Sequence, residues 1–302
     1  MDEKEPMIKA IIDLGTNTFN LLIAQVNSGG IEELHSEKEG VAIGMGGIND
    51  GKITLEAMDR ALKALSHFKK VCKEYKVDHL WAFGTSAIRD ASNQVEFVER
   101  VEKELGLRIE VLSGDQEAAL IFEGVKGLPG LPKEAVILDI GGGSSEVIEI
   151  HDGQLDKAKS LDIGVSRIYQ KFEFSDPLTS EDIQKIERYL ETNSKAFTPW
   201  PSQEILIGSS GSFETLYELI FDKVFPHDPE FYELPQEAFL DQLERMIGST
   251  LLERKADNRI MPIRQVMLHI TAVKIRWFVR KTGVTKVLVA PYSMKEGALL
   301  SH

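Results

Sequence analysis

Short apolar runs alternate along the chain with stretches whose apolar positions recur every three or four residues, the rhythms of strands and amphipathic helices. Residues 8–26 read as a strand, a turn at 15–18 and a second strand starting near Phe19; residues 31–41 continue as the third strand of a meander. Thr54 is a suitable N-cap for a helix reaching about Tyr75, with Ala57, Ala61, Leu62, Leu65 and Phe68 along one face. A short strand at 79–83 ends at Gly84; a Glu- and Val-rich helix then runs up to Gly106, followed by a strand at 108–112 and a helix at 115–124. Residues 127–132 place two prolines and two glycines in six positions, a linker signature. Beyond it the order is replayed: strands from 136 to about 166, a helix at 180–192, a strand at 204–207 and a helix after Gly211. Two added helices at 236–254 and 262–281, a strand at 287–289 and a short final helix complete the chain. The alternation predicts α/β layers with mixed rather than purely parallel sheets.

The replay extends to the residues themselves. Ile12-Asp13-Leu14-Gly15-Thr16-Asn17-Thr18 returns as Leu138-Asp139-Ile140-Gly141-Gly142-Gly143-Ser144-Ser145, with Asp13 and Asp139 126 positions apart. Gly40 and Gly164, like Gly84 and Gly208, are separated by 124, a change that fits a turn two residues shorter at Asp152-Gly153 than at 27–30. A weaker echo relates 113–118 to 292–297 at an offset of 179, implying 55 residues gained after Gly208. Ordered matches at nearly constant spacing indicate a duplication. The expected division is a first lobe at 1–126 and a second at 127–302, with inserted helices at about 215–283. The C-terminal helix, about 291–302, can pack back on the first lobe. Each repeat ends a buried strand in an aspartate and follows it with a glycine, which lets the backbone turn tightly and aim N–H groups at an anion. Two such loops facing one another would form a cleft for a phosphate chain and a metal ion.

Composition narrows the partners. At 302 residues the chain is long enough for two cores, and its charge of −13 lacks the basic footprint of a nucleic-acid binder. The same charge repels anionic substrates at long range, so a phosphate site here must draw on local Arg or Lys, backbone amides and a divalent cation. No apolar stretch is long enough to span a bilayer, and the first six residues are polar and acidic, unlike a secretory signal. Neither nucleic acid nor membrane is expected as a partner. Cys72 is the only cysteine, so no intrachain disulfide is possible and a reducing cytoplasm is the expected location; its place on a helix reads as packing.

Asp13-Leu14-Gly15-Thr16-Asn17-Thr18-Phe19, the segment from Gly84 to Asn93, Ser113-Gly114-Asp115-Gln116-Glu117-Ala118, Asp139 through Glu146, and the late Lys295-Glu296-Gly297 together resemble the exopolyphosphatase / guanosine pentaphosphate phosphohydrolase (Ppx/GppA) family. The match runs from Ile11 to Leu300 and corresponds to the short, two-domain form. The resemblance implies duplicated actin-like lobes (ribonuclease H-like, of the actin, sugar-kinase and heat-shock ATPase superfamily), with mixed sheets flanked by helices and a central cleft. It also implies hydrolysis of a terminal phosphoanhydride in inorganic polyphosphate or guanosine pentaphosphate.

Each candidate residue has chemistry suited to that reaction. Asp13 and Asp139 are carboxylates at strand ends, apt for Mg²⁺ or Mn²⁺, and the resemblance adds Glu146 as a further metal-site carboxylate. Thr16, Asn17, Thr18, Gly141, Gly142, Gly143, Ser144 and Ser145 are the candidate phosphate cradle, their amides able to stabilise non-bridging oxygens. Arg89 offers a planar fork of donors to phosphate and occupies the family's phosphate-binding arginine position; Asn93 matches that segment too. Glu117 resembles the family's catalytic glutamate and is the expected general base for water. Its counterpart Glu296 reads as structural. Gly208, Ser209 and Gly211, with Ser210 and Ser212, form a second-lobe turn facing ligand in this superfamily, where the family has a Gly- and Thr-rich version. Arg264 is followed by Gln265 and Val266 where the family has Arg-Ala-Asp, a departure at the substrate end of this lobe. His269 reads as a helix residue. Two rival readings remain on the sequence: an ATP-dependent kinase of the same superfamily, and a nucleotide-sensing protein that closes on ligand without chemistry. Apolar positions at 262–281 would serve a homodimer as well as a core.

Overall fold

The computed structural model describes residues 7–27 and 30–302, so the polar N-terminus and the middle of the 27–30 turn lie outside the described residues. The chain divides into two compact units, one built from the segment up to Gly127 together with Met294–His302, the other from Leu128–Ser293.

In the first unit β1 (Ile8–Leu14), β2 (Phe19–Asn27) and β3 (Gly30–Glu39) form an antiparallel meander. The chain then runs through α1 (Leu55–Glu74), β4 (His79–Gly84), α2 (Ser86–Arg89), α3 (Gln94–Leu105), β5 (Glu110–Val111) and α4 (Gly114–Lys126). β4 lies parallel to β1, and β5 parallel to β4, giving the order β3-β2-β1-β4-β5. Strand β1 is central and therefore apolar on both faces; Ala10, Ile11 and Ile12 are fully buried. Helix α1 begins where Thr54 Oγ1 accepts from Ala57 N, and its stripe of Ala57, Ala61, Leu65 and Phe68 is buried in the core. Cys72 is buried beside them, and burial raises its thiol to about 11, which makes it a packing group.

The second unit repeats the plan. It contains β6 (Ala135–Ile140), β7 (Ser145–His151), β8 (Gln154–Leu161), α5 (Val165–Lys171), α6 (Ser180–Asn193), β9 (Ile205–Ser209) and α7 (Gly211–Phe221). After these come β10 (Tyr232–Leu234), α8 (Gln236–Ile247), α9 (Leu251–Ala256), α10 (Pro262–Gln265), α11 (Leu268–Thr282) and β11 (Lys286–Val289). Its sheet runs β8-β7-β6-β9-β11-β10, the first sheet's order with one added edge strand. A last helix, α12 (Met294–Ser301), returns to the first unit and packs on α4; a Cβ on Gly297 would lie 1.8 Å from the Leu120 carbonyl oxygen.

Several boundaries differ from the expected ones. The strands end at Leu161, and residues 165–171 are helical, because the amides of Gly164–Ser166 turn to bind carbonyls of the neighbouring loop. The helix expected at 236–254 is broken after Ile247: Gly248 stops α8, and Thr250 opens α9 with a capping box to Glu253. The helix expected at 262–281 is likewise two, with α10 starting at Pro262 and α11 at Leu268.

Candidate active site

The first-lobe loop joins β1 to β2. Asp13 faces Asn20 across the strand pair, and Asn20 Nδ2 donates to Asp13 Oδ2 at 2.9 Å. Gly15 is required by crowding, since a Cβ there would lie 2.8 Å from the Thr18 carbonyl oxygen. The loop's carbonyls are bound from behind: Ala42 N donates to Asn17 O at 2.8 Å and Gly44 N to Thr16 O at 3.2 Å. Arg60 fixes that backing segment, its guanidinium donating to the carbonyls of Val41 (2.8 Å) and Ala42 (2.9 Å). Thr16 is buried, and Thr18 precedes β2 directly.

Glu117 lies on the first turn of α4, which opens with a capping box between Ser113 and Gln116. Arg89, the last residue of α2, donates from Nη1 to Glu117 Oε2 at 2.7 Å and to Leu112 O at 3.2 Å. Its Nε lies 3.5 Å from Asp90 Oδ1. The two first-lobe catalytic candidates are therefore in direct contact, though 28 residues apart in sequence. Asn93 requires a correction. Its Oδ1 accepts from Ile53 N and its Nδ2 donates to Ile53 O, both at 2.9 Å, so its amide completes the backbone of the α1 approach rather than facing a phosphate.

The second-lobe loop joins β6 to β7 on the same plan. A Cβ on Gly141 would meet the Ser144 carbonyl oxygen at 3.1 Å, the equivalent of the Gly15 crowding. Its carbonyls are also bound from behind: Gly164 N donates to Gly143 O (3.3 Å), Val165 N to Gly141 O (3.2 Å) and Ser166 N to Gly142 O (2.8 Å). Arg167 Nε adds a bond to Gly143 O at 2.6 Å. The approach is close enough that a Cβ on Gly164 would lie 2.2 Å from Gly142 O. The N–H groups of Gly142, Gly143 and Ser144, which donate to no group among the described residues, are the donors left to an anion.

Asp139 and Glu146 stand opposite one another in the β6–β7 ladder, the register held by Asp13 and Asn20 in the first lobe. Their side chains share a face and both are buried, Glu146 at 2% exposure. Ser293 Oγ donates to Asp139 Oδ2 at 2.8 Å and Ser160 Oγ to Glu146 Oε1 at 2.7 Å. Like charges directly opposed in a ladder repel, so this pair calls for positive charge. Part of it comes from Lys274 on α11, whose Nζ donates to Ser145 Oγ and, at 2.6 Å, to Ile163 O. Burial brings this ammonium down to about 7 against the attraction of Glu146 and Asp139. No group of three or more His, Cys, Asp or Glu side chains gathers to hold a metal among the described residues. A pair of buried carboxylates suits a hard divalent cation that draws its other oxygens from water and phosphate.

The 208–212 turn caps the sheet end. Ser209 is buried with its Oγ 3.5 Å from Tyr292 O, and Ser210 Oγ accepts from Ile140 N at 3.4 Å. Gly208 makes room for the Phe213 ring, and Gly211 for the Arg264 guanidinium, whose Nη1 donates to Thr215 Oγ1 at 2.8 Å. Arg264 thus lies over the start of α7. Sequence reasoning missed Lys274, Arg167 and Ser293. For Lys274 a signal existed: a lysine amid Ile270, Val273, Ile275 and Trp277, all buried on α11.

Two units of one topology, each carrying an aspartate-ended hairpin loop bound from behind, define a duplicated actin-like α/β protein. The chain belongs to the Ppx/GppA phosphatase family, whose family model matches residues 22–302. It is 26% identical over 297 residues to exopolyphosphatase 1 of Mycobacterium bovis, covering 96% of this chain and 86% of that protein. An exopolyphosphatase structure from Cytophaga hutchinsonii matches with a TM-score of 0.92 at 34% identity, covering 98% of this chain and 97% of that one. The Ppx/GppA family member of Aquifex aeolicus matches with a TM-score of 0.81 at 25% identity, covering 98% and 97%.

Proposed function

We propose that the chain is an exopolyphosphatase, releasing terminal phosphate from inorganic polyphosphate by attack of water. The observation that carries this reading is the Arg89–Glu117 contact at 2.7 Å, which puts a phosphate-clasping fork and a proton acceptor side by side. Likeness to the exopolyphosphatases of Mycobacterium bovis and Cytophaga hutchinsonii supports it.

In the reaction, a water oxygen attacks the terminal phosphorus in line with the anhydride bond. That bond's electron pair leaves with the oxygen of the shortened chain, and Glu117 takes the water's proton. Arg89 transfers its grip from Glu117 to the non-bridging oxygens as substrate binds. The amides of Gly142, Gly143 and Ser144 offer fixed dipoles to phosphate oxygens within the second unit. Asp139 and Glu146 would hold Mg²⁺ or Mn²⁺ within the second unit; when bound, the ion neutralises phosphate charge. Guanosine pentaphosphate presents the same terminal anhydride at its 5′ end and is the second candidate substrate. A cytoplasmic location fits such substrates, and no described helix is long and apolar enough to cross a membrane.

The test is phosphate release from the two substrates side by side, with Mg²⁺, for wild type and Glu117→Gln. Release by wild type is expected, with turnover of the variant lower by at least about 100-fold while substrate still binds. No release above background on prolonged incubation would sink the reading. Near-normal turnover in Glu117→Gln would remove Glu117 as the base.

A further inference from the structure

We propose that Lys274 is a positioning residue that ties the second-lobe phosphate loop to the segment backing it, presetting the loop amides before substrate arrives. The inference rests on the reading of Gly141–Ser145 as a phosphate cradle and extends it to a residue outside the loop.

Lys274 is 1% exposed on a helix whose neighbouring positions Ile270, Val273, Ile275 and Trp277 are core. An ammonium costs free energy in such a place, and an apolar side chain of like length would pack there without that cost. Its bonds go to two different pieces of one assembly. Ser145 Oγ belongs to the residue that ends the loop and begins β7; it accepts from Lys274 Nζ and itself donates to Ser144 O at 2.8 Å. Ile163 O, at 2.6 Å, belongs to the residue just before Gly164, where the three backing amides start. One ammonium therefore links the loop and its backing, 129 and 111 residues away in sequence. The Asp139 and Glu146 carboxylates attract the same cation, so loop, backing and acidic pair share one charge. The first lobe meets the equivalent need differently, with Asn20 on Asp13 and Arg60 on the backing segment. Lys274 does not touch the reacting atoms in this account; it acts through Ser145 and Ile163.

The experiment is hydrogen exchange at the bonded amides of the loop and its backing, Gly141 and Gly164–Ser166, in wild type and in Lys274→Met, with the β9 peptide as an internal reference. Loop exchange at least tenfold faster, with β9 exchange unchanged and thermal stability not lowered, is the expected result. In parallel, KM for polyphosphate should rise at least tenfold. Ser145→Ala, which removes the acceptor for Lys274 together with the Ser145 bond to Ser144 O but keeps the ammonium on Ile163 O, should speed loop exchange by a smaller factor and decides the matter if Lys274→Met does not fold. Wild-type loop exchange in whichever variant folds overturns the proposal. If wild type releases no phosphate but the exchange result holds, the functional reading fails and the positioning role stands.

Discussion

Ser210 adopts φ +92° and ψ 159°, backbone space open essentially to glycine. Its neighbours hold it there: Gly211 lies under Arg264, and Ser210 Oγ accepts a long bond from Ile140 N. Relief of strain outweighs that single bond, so Ser210→Gly should stabilise the protein by about 1 kcal/mol, read as a higher midpoint in urea. A lower midpoint would mean the Ile140 bond is the stronger effect. At this scale the loops were legible, because an aspartate, a glycine and short polar residues after an apolar run have few other uses, and they occur twice. The Asn93 amide and the Lys274 ammonium were not. Their partners lie 40 and 129 residues away, and no local pattern encodes a contact of that span.

Helix α11 carries a second buried titratable group. His269 is 5% exposed, its Nδ1 has no hydrogen-bond partner among the described residues, and burial, reinforced by Arg254, holds it down at about 4, against the weaker pull of Asp176. Between about 4 and the ordinary value of 6.5 the unfolded chain binds a proton that the folded chain does not. Stability is therefore intact above pH 6.5 and falls as pH drops toward 4, by on the order of 3 kcal/mol from this group. Urea melts from pH 7 to 4 should be steeper in pH for wild type than for His269→Gln; parallel curves would refute the assignment. Elements as such were readable, since strand and helix periods are local. Their breaks were less so. The α8–α9 interruption was written in Gly248 and in Thr250 with Glu253, whereas Val165 looks like a strand residue until the Gly141 carbonyl it serves is in view.

Over the whole molecule, the matching sheet orders show why the repeat could be traced from spacing: insertions fell after β9's glycine and added only the edge strand β10 to the shared order. What spacing could not show is how firmly the last helix is tied to the first unit. Gly297 packs so close to Leu120 that Gly297→Ala forces α12 off α4, at a cost of about 2–3 kcal/mol. Calorimetry should then show the melting of the first unit shifted down and that of the second unchanged; one common shift would mean the units melt together.

That last helix orders events on the ribosome. The first unit's sheet emerges early, but the helix that covers it follows the Leu128–Ser293 segment, roughly 170 residues later. At about 5–20 residues per second this leaves the nascent sheet waiting some 10–30 s with an uncovered apolar face. During translation, that face is where a chaperone would be needed first.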